Sequence, residues 1–116
     1  MSKKVLIVED NELIAYLHEK FVIKCGGTVI GKTHNFEEFK HLVNTEAPDV
    51  ILMDILLGQD KDGVDFVMSI PDCKARIVYV SGSTDPLTLE KLKNTIYHSF
   101  VVKPLMFDTL TEILRF

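Results

Sequence analysis

Val50-Ile51-Leu52-Met53-Asp54-Ile55-Leu56-Leu57-Gly58 is the stretch that decides the fold. Four apolar residues run directly into an acid, and a glycine follows four positions later. A continuous apolar run of this length reads as a strand buried on both faces, as in a parallel sheet covered by helices on each side. An acid at the end of such a strand costs solvation unless it emerges at the sheet edge, where loops and water begin. Asp54 therefore belongs at the carboxyl end of a central strand, where open α/β sheets place their ligands.

Working outward, Val5-Leu6-Ile7-Val8 is a second fully apolar run, and it too closes on acids, Glu9 and Asp10. Asn11 reads as a helix N-cap. Leu13, Leu17 and Phe21, flanked by Ile14 and Val22, form a helical stripe that stops at Gly26-Gly27. Thr28-Val29-Ile30 reads as a short strand. Asn35 with Glu38 resembles a capping box for a second helix carrying Phe36, Phe39, Leu42 and Val43, which ends at Ala47-Pro48-Asp49.

Beyond the deciding strand, Gly58 to Gly63 is polar and offers no core residue. A short helix then carries Val64, Phe66, Val67 and Ile70 up to Pro71. Arg76-Ile77-Val78-Tyr79-Val80 is the fourth strand, closing on Ser81-Gly82-Ser83. Asp85-Pro86 reads as N-cap plus first-turn proline for a helix lined by Leu89, Leu92 and Ile96. Ser99-Phe100-Val101-Val102 is the fifth strand and closes on Lys103-Pro104. The last helix carries Met106, Phe107, Leu110, Ile113 and Leu114.

Strand and helix thus alternate five times, which predicts an α/β fold: a five-stranded parallel sheet between two helical layers, in the flavodoxin-like order 2-1-3-4-5. In that order the first and third strands are neighbours, so their carboxyl ends bring Glu9, Asp10 and Asp54 together. Ser81 and Lys103 join them from the fourth and fifth strands.

Composition narrows the function. Residues 1–116 are expected to form one domain, and a net charge of −4 gives no basic footprint for nucleic acid. Cys25 and Cys73 match no metal or redox spacing and read as buried or partly buried thiols in a reducing compartment. The apolar run after Met1-Ser2-Lys3-Lys4 is too short for a signal peptide or a membrane span, so a soluble, cytoplasmic protein without membrane binding is expected. His18, His34, His41 and His98 lack ligand spacing and read as solvated surface histidines.

The rim residues carry the chemistry. Three gathered carboxylates raise one another's pKa unless a cation compensates, and an open all-oxygen site suits Mg2+, with Mn2+ able to substitute. Lys103 supplies a point charge opposite. A metal, a lysine and a hydroxyl around one carboxylate is what phosphoryl transfer to that carboxylate requires. Asp54 is the acid best placed as nucleophile, and Glu9 and Asp10 as metal ligands.

Glu9-Asp10, Asp54, Ser81 and Lys103-Pro104, in this order after successive strands, resemble the signature of the response-regulator receiver domain of two-component signalling. The resemblance implies that Asp54 accepts phosphate from a histidine kinase or phosphotransfer protein. It implies that Glu9, Asp10 and Asp54 hold Mg2+ with the Leu56 backbone carbonyl, and that Ser81 and Lys103 contact the phosphoryl group. Ser81 and Phe100 would be the switch residues, acting on the face made by the fourth helix, fifth strand and fifth helix. That face would meet an output domain or a second copy. The Lys103-Pro104 bond is a cis candidate. The chain departs from the family in having Gly58 where proline is frequent, in a slightly longer loop to Gly63, and in Gly82 where alanine is usual. With Leu56 and Ser83 two residues after Asp54 and Ser81, slow self-dephosphorylation is expected.

Two rival readings remain at this level. Gly26-Gly27-Thr28-Val29-Ile30-Gly31-Lys32-Thr33 matches G-x-x-x-x-G-K-S/T, but a P-loop must follow a strand and open a helix, and here a helix precedes it. The other is a receiver fold used only as a binding module. An intact repulsive acid cluster argues against that use.

Overall fold

A computed structural model describes residues 2–82 and 85–116 of the chain. The elements are β1 (Lys4–Val8), α1 (Glu12–Lys24), β2 (Thr28–Thr33), α2 (Phe36–Glu46), β3 (Val50–Asp54), α3 (Gly63–Met68), β4 (Arg76–Ser81), α4 (Pro86–Leu92), β5 (Ser99–Val102) and α5 (Phe107–Ile113). The strands form one parallel sheet in the order β2-β1-β3-β4-β5.

Strand alternation sorts the side chains into two apolar clusters. Leu6, Val8, Ile51, Met53, Ile77 and Tyr79 face Phe39, Phe66 and Leu92, so α2, α3 and α4 cover that side. Val5, Ile7, Val50, Leu52, Val78 and Val80 face Ala15, Val22, Leu110 and Ile113, so α1 and α5 cover the other. Every residue of β3 is buried, which is why Val50 to Met53 are apolar without alternation before Asp54 ends the strand. Truncating one of these, as in Leu52→Ala, would cost about 2–5 kcal/mol through lost burial and the cavity left behind.

Local chemistry sets the helix ends. The Asn11 side chain accepts the Leu13 and Ile14 N–H groups, both at 3.0 Å. Asp85 caps α4, with Pro86 in its first turn. Asn35 accepts the Glu38 N–H at 2.8 Å. The reciprocal capping box lies at α3 instead, where Asp62 and Asp65 each accept the other's backbone N–H at 2.9 Å.

Several expectations need correction. α1 buries Ala15, His18 and Val22, and leaves Leu13 77% exposed, with Leu17 also exposed. Small Ala15 lets the helix seat closely on the sheet, and that seating turns the leucines outward. His18 is therefore not a surface histidine. Burial lowers its pKa, Glu9 opposing and Lys103 adding to the effect. α4 stops at Leu92, and Ile96 is 94% exposed rather than lining it. β2 runs on to Thr33 through an irregularity opposite Val5 and Leu6, so the Gly31-Lys32-Thr33 of the P-loop match is strand and opens no helix. Both cysteines are free and half-buried. Ser83 lies outside the described residues.

Candidate functional site

Parallel pairing in register brings the carboxyl ends of the strands to one edge. Val8 is level with Met53, Asp54 with Val80, and Ser81 with Val102. The next residues along β1 are Glu9 and Asp10, and Glu9 N–H still donates to the Thr33 carbonyl at 3.0 Å. Asp54 is the last residue of β3, and Lys103 follows β5 with its N–H on the Ser81 carbonyl at 2.8 Å. Backbone ladders therefore place four of the five rim residues.

One carboxylate oxygen from each of Glu9, Asp10 and Asp54 lies within 4.8 Å of the others. Glu9 and Asp54 are buried and Asp10 is exposed. Against the three acids stands the Lys103 ammonium, 2.9 Å from Glu9 Oε1 and 3.4 Å from Asp54 Oδ2. Burial by itself would raise Glu9, but Lys103 and the Asn11 N–H outweigh it and hold the carboxyl below its usual value. Asp54 goes the other way. Burial first, then the hydrogen bond and charge of Glu9, push it up to about 7, with Lys103 opposing. The pocket thus carries more negative charge than one lysine balances, and its donors are all hard oxygens. That donor set fits a small divalent cation.

The remaining predicted residues are placed as follows. Ser81 is buried at the end of β4. Leu56 sits in the loop after β3 and is 58% exposed. Phe100 is half-buried on β5 against the core. The Lys103-Pro104 peptide is cis.

Sequence reading passed over three residues that hold the β3–α3 segment. Gly63, the first residue of α3, donates to the Ile55 carbonyl at 2.7 Å, and a Cβ there would meet the Asp54 carbonyl oxygen at 2.2 Å. Gln59 Nε2 reaches the His34 carbonyl at 2.7 Å and closes the β3–α3 loop against the β2–α2 loop beside Asp10. Lys91 on α4 lies 2.9 Å from both Asp62 and Asp65. An Asp-Gly-x-Asp pattern opening a helix could have signalled the capping box. No spacing rule could have found Lys91.

The family profile of the response regulator receiver domain matches residues 5–115. The chain belongs to the response-regulator receiver family. It is 30% identical over 114 residues to a probable C4-dicarboxylate response regulator, DctR, of Halalkalibacterium halodurans, a match covering 96% of this chain and 49% of that protein. It is 28% identical to the chemotaxis protein CheY of Thermotoga maritima, covering 99% of this chain and 97% of the relative. Among solved structures, the signal receiver domain of a modulated diguanylate cyclase from Desulfovibrio desulfuricans superposes with a TM-score of 0.89 at 30% identity, covering 97% of this chain and 90% of that one. The chain spans about half the length of most of the curated relatives it matches.

Receiver domains are phosphoacceptors of two-component signalling rather than enzymes, and they bind Mg2+ at an acidic pocket. This receiver has the acidic cluster at the expected edge. None of its described helices is long and apolar enough to cross a membrane.

Proposed function

We propose that this receiver takes a phosphoryl group onto Asp54 from the phosphohistidine of a histidine kinase or phosphotransfer protein, in a Mg2+-dependent reaction in the cytoplasm. The observation that carries this reading is the buried Asp54 carboxylate set between Glu9, Asp10 and the Lys103 ammonium. Glu9, Asp10, Asp54 and the Leu56 carbonyl would hold the metal. Bound there, Mg2+ supplies positive charge to the acids and to the phosphoryl oxygens.

An Asp54 oxygen attacks phosphorus, the phosphorus–nitrogen bond of the donor breaks, and an acyl phosphate forms. The imidazole leaves with the bonding pair. Lys103 is free to turn its ammonium from Glu9 and Asp54 toward the new phosphoryl oxygens, with Ser81 contacting the same group. Ser81 and Phe100 then pass the change to the face made by α4, β5 and α5, where an output domain or a second copy is engaged.

The donor needs a surface beside the pocket. Exposed Leu13, Tyr16 and Leu17 lie on α1, whose N-cap Asn11 adjoins Asp10. Such apolar exposure next to a reactive edge marks a contact surface for the donor's helices. Leu56, being apolar, orients no water for hydrolysis, so the phosphorylated state persists until a phosphatase or the kinase resets it.

The test is incubation with a small phosphodonor and Mg2+, read by intact mass. One phosphoryl group is expected on the parent and none on Asp54→Asn. Equal labelling of Asp54→Asn would show that another residue is the acceptor.

A further inference from the structure

We propose that Lys91 is a positioning residue for the phosphoacceptor, locking α4 and the first turn of α3 into one unit seated on the backbone of Asp54. The proposal rests on Asp54 being the acceptor and adds a residue that touches neither metal nor phosphoryl group.

The geometry starts from the α3 capping box. Such a box ordinarily pairs a hydroxyl with an acid or amide, whereas this one sets two aspartates face to face. Two carboxylates so close repel unless a cation is shared between them. Each uses one oxygen on the other's backbone N–H, Asp62 Oδ1 on Asp65 N–H and Asp65 Oδ2 on Asp62 N–H, both at 2.9 Å. The remaining two oxygens, Asp62 Oδ2 and Asp65 Oδ1, both lie 2.9 Å from Lys91 Nζ. All four oxygens are thereby engaged, and the ammonium of α4 completes the N-terminus of α3.

That N-terminus is in turn pressed onto the acceptor. Gly63 follows Asp62, bonds the Ile55 carbonyl and leaves no room for a single carbon against the Asp54 carbonyl. The chain of contact therefore runs from Lys91 through Asp62 and Asp65 to Gly63 and the backbone on both sides of the Asp54 carbonyl. α4 has only seven residues, and Leu92, adjacent to Lys91, is its one buried side chain. Its seat depends on that leucine and on the ion-paired lysine. Removing the ammonium frees α4 and lets the two acids push the turn of α3 apart, loosening the acceptor's backbone.

The experiment compares the parent with Lys91→Met, which keeps the alkyl stem, and with Lys91→Arg, which keeps the charge. Two quantities are read: amide exchange of Gly63 against that of Val5 to Val8, and the initial rate of labelling by a small phosphodonor at saturating Mg2+. In Lys91→Met the Gly63 amide should exchange about fivefold faster and labelling should slow about fivefold, the scale of one partly exposed ion-pair network. Val5 to Val8 should be unchanged, and Lys91→Arg should stay within about twofold of the parent. Labelling of Lys91→Met at the parent rate overturns the proposal, whatever Gly63 does. So does a rise in exchange of the same size at Val5 to Val8, which would mean general destabilisation. A parent that takes no label overturns the acceptor reading itself, and this proposal with it.

Discussion

Replacing Gly63 by alanine should cost far more than one methyl group suggests. Alanine is the better former of helix interiors, by about 0.5–1 kcal/mol, so propensity does not argue against it at the first position of α3. The space argues the other way. The new Cβ would lie 2.2 Å from the Asp54 carbonyl oxygen, 2.9 Å from Met53 Cγ and 3.0 Å from the Asp54 carbonyl carbon. Ordinary contact begins near 3.4 Å, so the oxygen would have to retreat by about 1 Å. It cannot swing aside like a flexible side chain, because it belongs to the central strand, paired to both β1 and β4. Overpacking a rigid site costs about 1–3 kcal/mol and occasionally more, and this contact belongs at the upper end. At roughly 4 °C per kcal/mol for a domain of this size, the melting temperature should fall by about 10 °C. Gly82→Ala is the control, since a Cβ there meets nothing within 4 Å among the described residues, and it should melt within about 2 °C of the parent. Thermal unfolding gives the first comparison and phosphodonor labelling the second. Gly63→Ala should also label more slowly, because α3 can make room only by lifting from the acceptor strand. A Gly63→Ala protein that melts and labels like the parent would refute the close approach and the reasoning built on it.

Other perturbations test other parts of the molecule. Asp10→Ala removes one of the three acids proposed to hold the metal, so calorimetry should show Mg2+ binding weakened at least tenfold, and excess chelator should abolish labelling of the parent. Leu56→Asn puts a water-orienting amide beside the acceptor, so the phosphorylated protein should decay several-fold faster than the parent; equal decay would show that this side chain does not limit hydrolysis. Burial raises the Tyr79 phenol to about 12 although Thr95 hydrogen-bonds it, so the folded state holds that proton more tightly than the unfolded chain, whose phenol titrates near 10. Its contribution is complete below pH 10 and is lost as pH rises toward 12, by about 2–3 kcal/mol, and urea unfolding of Tyr79→Phe should lack that alkaline decline.

The sequence carried the sheet more clearly than the helices around it. Val5 to Val8 and Val50 to Met53 are apolar at every position because both faces of a central strand are covered, and both runs close on acids. Strand order then made the meeting of Glu9, Asp10 and Asp54 a matter of topology. Helix faces were less legible, because α1 has two candidate stripes. Leu13, Leu17 and Phe21 are the more apolar set, yet Ala15, His18 and Val22 are the set it buries. Periodicity finds a helix but does not say which of its two stripes meets the core. Ile96 misled for a related reason. It lies four residues after Leu92, as a helix would require, but the chain must turn there so that Ser99 can pair with Val78.

The polar framework was the least legible part, and it bears most directly on how the site works. Asp60 to Gly63 reads as a loop with nothing for the core, and its partner Lys91 lies a whole strand and helix further on. Yet this segment leaves the Asp54 backbone almost no slack. Gly63 bonds the Ile55 carbonyl and abuts that of Asp54, while the Ile55 N–H reaches the Val80 carbonyl at 3.4 Å. Charge added to the Asp54 side chain therefore cannot be absorbed by the strand that bears it. The groups able to answer lie at the ends of the neighbouring strands: Lys103, whose ammonium is shared between Glu9 and Asp54, and Ser81, whose carbonyl holds the Lys103 N–H. On the proposed function, an acceptor backbone held this closely would put the change of shape at the carboxyl ends of β4 and β5 rather than in β3.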